Sequence, residues 1–200
     1  MIITCCDDRT LLIISQNLTN YGIPIPDNVV FRINLAWVNS LNELQGILKK
    51  HQGHRVFLDL PVGRIKPPNN KYTLEELVPI VQAHSEIRYF AISNVESKSD
   101  LEEFVRLLPR NIVIVPKIES PTAVTNISSI VEMLNGQERV VMLDHDDLFS
   151  AIIKRNESAT KFKEYITSLV DFCQKNDITL LRTVGVIFSD AEKRVTEYMK

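Results

Sequence analysis

The strongest constraint on the fold of this chain is a repeated change of period. Short runs rich in β-branched and aromatic residues alternate with stretches whose apolar residues recur every three or four positions. The run MIITCC comes first, followed by a helical pattern on Leu11, Ile14 and Leu18 that Tyr21-Gly22 closes. VVFRINL (29–35) precedes a helix marked by Leu41, Leu44, Ile47 and Leu48, and RVFLDL (55–60) precedes one opened by a capping box, Thr73 with Glu76. YFAIS (89–93) leads to Leu101, Phe104, Val105 and Leu108, and NIVIVPKI (111–118) to Val124, Ile127, Val131 and Leu134. RVVML (139–143) leads to Phe162, Ile166, Leu169 and Phe172, and ITLLRTV (178–184) to a last amphipathic segment with Ser189 and Glu192 as its capping box. Strand-helix alternation of this kind predicts an α/β protein with a parallel sheet covered by helices, either doubly wound or a TIM-type (β/α) barrel. Seven β-α units are read here, one short of a standard barrel, within a single domain over residues 1–200.

Composition narrows the partners. At 44% hydrophobic, 24% charged and a net charge of −2, the chain has no basic excess for nucleic acid or an anionic membrane surface. The start, MIITCCDDRT, lacks the basic and apolar regions of a secretory signal. Three cysteines make no disulfide framework, so the expected location is cytoplasmic. Cys5-Cys6 before Asp7-Asp8 reads as a buried strand end with a polar exit in preference to a metal or redox site.

In parallel α/β folds chemistry collects at the carboxyl ends of the strands, and polar residues do so here. Arg32 and Asn34 alternate with Phe31, Ile33 and Leu35, so the period of two puts the polar pair on one face. The next strand ends at Asp59; a later one carries Lys117 and Glu119 on one face. RVVML runs into Asp144, His145, Asp146 and Asp147, and the last strand ends at Arg182 and Thr183. A strand buried on both faces should be an unbroken apolar run, so these charges must be paired, or must face a wet cavity or a metal. The carboxylates Glu119 and Asp147 at neighbouring strand ends suit a hard divalent cation such as Mg²⁺ or Mn²⁺. Lys117 beside such an ion, partly desolvated, is expected to have a lowered pKa and to stabilise an enolate or move a proton. Arg32 could grip a carboxylate or phosphate. His145 reads as an exposed loop residue, and His51 and His54 as surface residues. There is no Walker A or GxGxxG sequence, and no cysteine has a convincing histidine partner.

These strand ends resemble the central barrel of pyruvate kinase, in the phosphoenolpyruvate/pyruvate-binding superfamily, over almost the whole chain. FRINLAW, VFLDLPVGRIK, AISNVESKSDL, VVMLDHDDL and DITLLRT each resemble a strand end of that barrel, and VPKIESPTAVTNI resembles its lysine-isoleucine-glutamate motif most specifically. The resemblance implies that Glu119 and Asp147 are divalent-metal ligands and that Lys117 stabilises phosphoryl transfer and enolate charge. It implies that Thr183 stands beside the proton-transfer site, Arg32 on the phosphoryl side, and Asn34 and Asp59 at a monovalent-cation site. Ala36 stands where the family has a serine cation ligand and Leu60 where it has a threonine, which implies that this monovalent site is lost. Asp146 replaces a glycine next to the substrate carboxylate, and Lys66 replaces an arginine. Between Gly63 and Thr73 only RIKPPNNKY remains where pyruvate kinase carries its lid domain. Without a lid the nucleotide is poorly sequestered from water. Other members of the superfamily use the same carboxylate pair for aldol or Claisen cleavage through a pyruvate or acyl-CoA enolate, chemistry that needs no lid.

The expectation is therefore a Mg²⁺- or Mn²⁺-dependent domain that binds a pyruvate-like 2-oxo acid, or a phosphoenolpyruvate-like ligand, and stabilises its enolate. Two alternatives stand beside it: a catalytically degenerate scaffold or assembly subunit and, last, a true ADP-dependent pyruvate kinase. Val113, Val115, Lys117 and Glu119 should form one inward-facing row, with Ser120 and Pro121 opening the next helix as N-cap and first residue. A seven-stranded barrel would leave open edges, which predicts a homo-oligomer with the C-terminal helix (190–199) covering the gap.

Overall fold

The computed structural model describes residues 2–4, 12–21, 25, 28–64 and 67–183. The expectations for Cys5, Cys6, Lys66, the Ser189–Glu192 capping box and the helix at 190–199 lie outside the described residues, as does the side chain of Thr183. Eight strands form a closed barrel in sequence order: β1 (Ile2–Thr4), β2 (Ile13–Ser15), β3 (Val30–Asn34), β4 (Arg55–Leu60), β5 (Ile87–Ile92), β6 (Val113–Ile118), β7 (Val140–Leu143) and β8 (Thr179–Thr183). Helices cover its outside: α1 (Leu41–Lys50), α2 (Leu74–Ala83), α3 (Glu102–Leu107), α4 (Pro121–Thr125), α5 (Ile127–Glu132), α6 (His145–Lys154) and α7 (Lys161–Lys175).

Strands β2 to β8 are parallel, each paired with the next, as a TIM-type barrel requires. The seventh gap is closed in another way. β1 runs antiparallel to both β8 and β2, pairing Ile2 with Thr183 and with Ile13. The barrel thus has seven parallel strands and one reversed strand. The open edge on which a homo-oligomer and a covering C-terminal helix were expected is already paired by β1.

The first β-α unit differs from its sequence reading. Among the described residues the helix expected on Leu11, Ile14 and Leu18 is replaced: Ile13–Ser15 is strand β2, followed by a short 3₁₀ turn over Gln16–Tyr21. Ile13 and Ile14 are both buried, one on each side of the sheet. Adjacent β-branched residues with both faces covered satisfy a parallel strand, and that burial outweighs a weak helical spacing.

Two apolar layers hold the barrel. Inside it lie Ile13, Val30, Phe57, Tyr89, Val113 and Val140 with their neighbours. Between sheet and helices lies a larger layer that includes Ile33, Leu58, Leu60, Ile92, Ile114 and Leu143. The period of two divides each strand between these layers, so β4 gives Phe57 to the interior and Val56, Leu58 and Leu60 to the helices. The caps follow the sequence. Ser40 accepts from the Glu43 N–H to open α1, and Thr73 and Glu76 exchange both bonds of the capping box at α2. Ser120 caps α4 and Pro121 is its first residue. His51 is not a surface residue. It is buried against the Phe31 ring at 4.2 Å between centroids, with His54 edge-on to the same ring at 5.0 Å.

Candidate active site

At the carboxyl end of the parallel strands the interior rows change from apolar to polar. Arg32 and Asn34 continue the row of Val30, Asp59 that of Phe57, and Ser93 that of Tyr89 and Ala91. Lys117 and Glu119 continue Val113 and Val115, and Asp144 continues Val140 and Met142. The expected inward row on β6 is therefore in place. These side chains line one cleft of about 410 Å³, which Asp147, Ser150 and Lys154 of α6 also border.

Lys117 is the hub. Its ammonium lies 2.7 Å from Glu119 Oε1, donates to Ser93 Oγ at 3.0 Å, and stands 3.8 Å from Asp59 Oδ1 and 3.9 Å from Asp144 Oδ2. Burial opposes its charge most strongly, but Asp59, Glu119 and Asp144 together outweigh that and raise the Lys117 pKa. The lowered pKa was expected beside a bound cation; without one, these three carboxylates hold Lys117 as an ammonium.

Glu119 is 5% exposed, and burial, only partly offset by Lys117, raises its pKa. Its Oε2 accepts from the Asn94 N–H at 2.7 Å. Asn94 adopts a left-handed φ of 57° and donates from its side chain to the Val62 carbonyl at 2.6 Å, so the loop after β5 is fastened to the turn after β4. In that turn Gly63, at φ 67°, leaves room for the Asn94 amide 3.4 Å from where a Cβ would stand. Asp59 is 1% exposed. Burial would raise its pKa, but Arg32 first and Lys117 second hold it below the ordinary carboxylate range.

Arg32 binds Asp59 Oδ2 through Nε at 2.8 Å and through Nη2. Asn34 Oδ1 accepts from the Ala36 N–H at 3.0 Å and so caps the turn after β3. Arg32 and Lys117 thus supply from the chain itself the positive charge beside Asp59.

The VVMLDHDDL segment turns directly into α6. Asp144 is the N-cap and accepts from the Asp147 N–H at 3.3 Å, which sets Asp144 and Asp147 side by side at the mouth. His145 is not an exposed loop residue. It is 2% exposed, its Nε2 lies 3.1 Å from Arg182 Nη2, and burial, reinforced by Arg182, lowers its pKa to about 4. Asp146 is exposed and does not line the cleft, so its charge does not block the mouth.

One carboxylate oxygen each from Glu119, Asp144 and Asp147 lie within 4.8 Å of one another. Glu119 Oε1 is buried and, despite its proximity to Lys117, makes no hydrogen bond of regular geometry. An all-oxygen, carboxylate-rich set fits a hard divalent cation. Asp144 and Ser93 are the residues that sequence reasoning left without a role. The signal for both was the alternation itself, since each lies two positions beyond an interior residue of its strand.

The fold is shared with solved structures. RipC from Yersinia pestis matches with a TM-score of 0.60 and 16% identity over 94% of this chain and 84% of that one. The HpcH/HpaI aldolase from Desulfitobacterium hafniense DCB-2 matches with a TM-score of 0.59 and 14% identity over 94% and 83%. At such identities the likeness establishes the barrel architecture. No family model matches the sequence, and no curated protein matches it. Among the described residues no helix is long and apolar enough to cross a membrane.

Proposed function

We propose that this chain is a divalent-metal-dependent lyase of aldolase type that binds a 2-oxo acid such as pyruvate and stabilises its enolate. The observation that carries the reading is the carboxylate triad Glu119, Asp144 and Asp147 set beside the buried ammonium of Lys117 in one cleft. The structural likeness to an HpcH/HpaI aldolase supports this reading over pyruvate kinase. So does the short segment between Gly63 and Thr73, which offers no cover for a nucleotide.

Glu119, Asp144 and Asp147 would hold Mg²⁺ or Mn²⁺, which when bound polarises a carbonyl oxygen and lowers the energy of negative charge developing there. Lys117 places a permanent positive charge beside the same spot, already oriented by Ser93 and Asp59. Arg32, held by Asp59 yet partly open to the cleft, orients the carboxylate of the 2-oxo acid. The resemblance to the pyruvate kinase barrel would make Thr183, the last residue of β8, the residue beside the proton-transfer site. In the cleavage direction the C3–C4 bond of a 4-hydroxy-2-oxo acid breaks. Its electron pair becomes the enolate, the C4 hydroxyl loses its proton, and C4 leaves as an aldehyde.

A scaffold reading keeps one specific support. Asp59 is committed to Arg32, and Asn34 to its own turn, so the monovalent-cation ligands of the pyruvate kinase pattern are occupied by the chain. Calorimetry with Mn²⁺ separates the readings: the wild type should bind one ion with carboxylate-dependent affinity, and Glu119→Gln should abolish it. Equal binding by both proteins would remove the metal assignment.

A further inference from the structure

The chain has a single tryptophan, and it is exposed. Trp37 is 65% accessible, although its neighbours Leu35, Ala36 and Val38 are 0%, 1% and 2% accessible. The 3₁₀ turn that carries it (35–37) is fastened at three points. Asn34 caps the Ala36 N–H at 3.0 Å, Val38 N–H donates to the Leu35 carbonyl at 3.3 Å, and the buried Tyr72 hydroxyl donates to the Val38 carbonyl at 2.6 Å. The backbone that carries the indole is thereby fixed before any partner arrives.

Trp37 borders a second pocket of about 300 Å³, beside the candidate active site. Ser15, Gln16 and Asn17 form its polar side, and Arg32 and Asn34 line both this pocket and the active-site cleft. The two sites therefore meet at Arg32 and Asn34. The active-site cleft has no aromatic lining among the described residues. The pocket's size falls at the lower end of small-molecule sites, and its mix of one large aromatic face with a few polar groups is their usual chemistry. A subunit interface would call for a contiguous apolar patch. The polar residues around Trp37 suit instead a small planar ring with polar substituents, which stacks on the indole and hydrogen-bonds at its edge.

The geometry points to an aromatic subsite: the second pocket takes the aryl group of the aldehyde half of the substrate, with the ring stacked on Trp37. This inference rests on the aldolase reading. It makes the substrate a 4-aryl-4-hydroxy-2-oxo acid. In the forward direction C3 of the pyruvate enolate bonds to the carbon of an aromatic aldehyde. The carbonyl pair becomes an alkoxide and takes up one proton, replacing the one lost from the pyruvate methyl group, so nothing else is consumed.

The lone tryptophan makes the test direct. In ¹⁵N-labelled protein its indole N–H gives one resonance, to be followed while 4-hydroxybenzyl alcohol, a form of the acceptor that cannot condense with lysine, is added. We expect a saturable shift, no comparable shift with cyclohexylmethanol, and a loss of affinity of tenfold or more in Trp37→Ala by calorimetry. Mn²⁺ and oxalate binding should be unchanged in that variant. An indole signal that does not move, that moves equally with the saturated ring, or that shifts with protein concentration alone would overturn the subsite. If the aromatic probe binds at Trp37 but Mn²⁺ and oxalate do not bind at all, the pocket stands and the aldolase reading falls.

Discussion

Replacing Lys117 by methionine keeps the length and flexibility of the side chain and removes its charge. Three carboxylates then lose their shared partner: Glu119 at 2.7 Å, Asp59 at 3.8 Å and Asp144 at 3.9 Å. Removing one member of a buried ion pair costs about 3–5 kcal/mol, because the other charge stays behind. The chain has one escape, which is to protonate Glu119. Raising that group from its ordinary 4.5 to neutrality costs about 3 kcal/mol at about 1.4 kcal/mol per pKa unit, which agrees with the lower bound. For a domain of this size the loss corresponds to a fall in Tm of about 6–20 °C. The deficit should shrink as pH approaches 5, where protonation becomes easy. Mn²⁺ should restore stability, by about 2.7 kcal/mol at a hundredfold excess over Kd, and should stabilise the variant more than the wild type because no ammonium opposes the ion. Thermal unfolding by circular dichroism, with and without Mn²⁺ at pH 5 and 7, measures all of this. A variant within 2 °C of the wild type, indifferent to Mn²⁺, would refute both the charge hub and the metal site.

Three further outcomes follow from the same geometry. Asp144→Asn keeps an oxygen that can cap α6, so stability should change by no more than about 0.5 kcal/mol, while Mn²⁺ affinity falls at least tenfold; chemical denaturation and calorimetry read the two effects separately. His145 is held neutral in the fold with a pKa of about 4 against an ordinary 6.5, so the unfolded chain binds more protons between those values. Its contribution, about 3 kcal/mol, is therefore complete above pH 6.5 and lost as pH falls towards 4. The raised pKa of Glu119 works in the opposite sense, so the profile is to be compared with that of metal-free His145→Gln, in which this slope should vanish. Thr73→Ala removes the Oγ acceptor of the capping box and should cost about 1 kcal/mol in urea unfolding with no effect on Mn²⁺ affinity.

The barrel was legible because its strands obey two rules at once. VIVPKI and the buried part of RVFLDL are apolar on both faces, as parallel strands must be, and turn polar only towards their carboxyl ends. Alternation then put Lys117 and Glu119 in one inward-facing row, and Arg32 with Asn34 on a single face of their strand. The closing strand was legible as a strand in MIITCC, but its direction was not. β1 has only three residues, and nothing in IIT encodes that it runs antiparallel to both neighbours. β2 was mistaken for a helix because three apolar positions at helical spacing overlie a pair of isoleucines whose burial is tertiary. The histidines were misplaced for a related reason. His51 and His145 lie where local polarity suggests solvent, but Phe31 and Phe162 cover them from elsewhere in the chain, whereas His54 is half-buried. The charge state of Lys117 could not be read from sequence either, since it depends on three carboxylates from β4, β6 and the start of α6 meeting at one nitrogen.

The central claim is that Glu119, Asp144 and Asp147, with Lys117 beside them, stabilise the enolate of a 2-oxo acid. The most direct measurement needs no knowledge of the full substrate: exchange of the pyruvate methyl protons in D₂O, followed by proton NMR. Methyl exchange should require both the protein and Mg²⁺ or Mn²⁺, disappear in Glu119→Gln and fall sharply in Lys117→Met. Exchange no faster than in buffer with the metal ion alone, at saturating pyruvate, would contradict it.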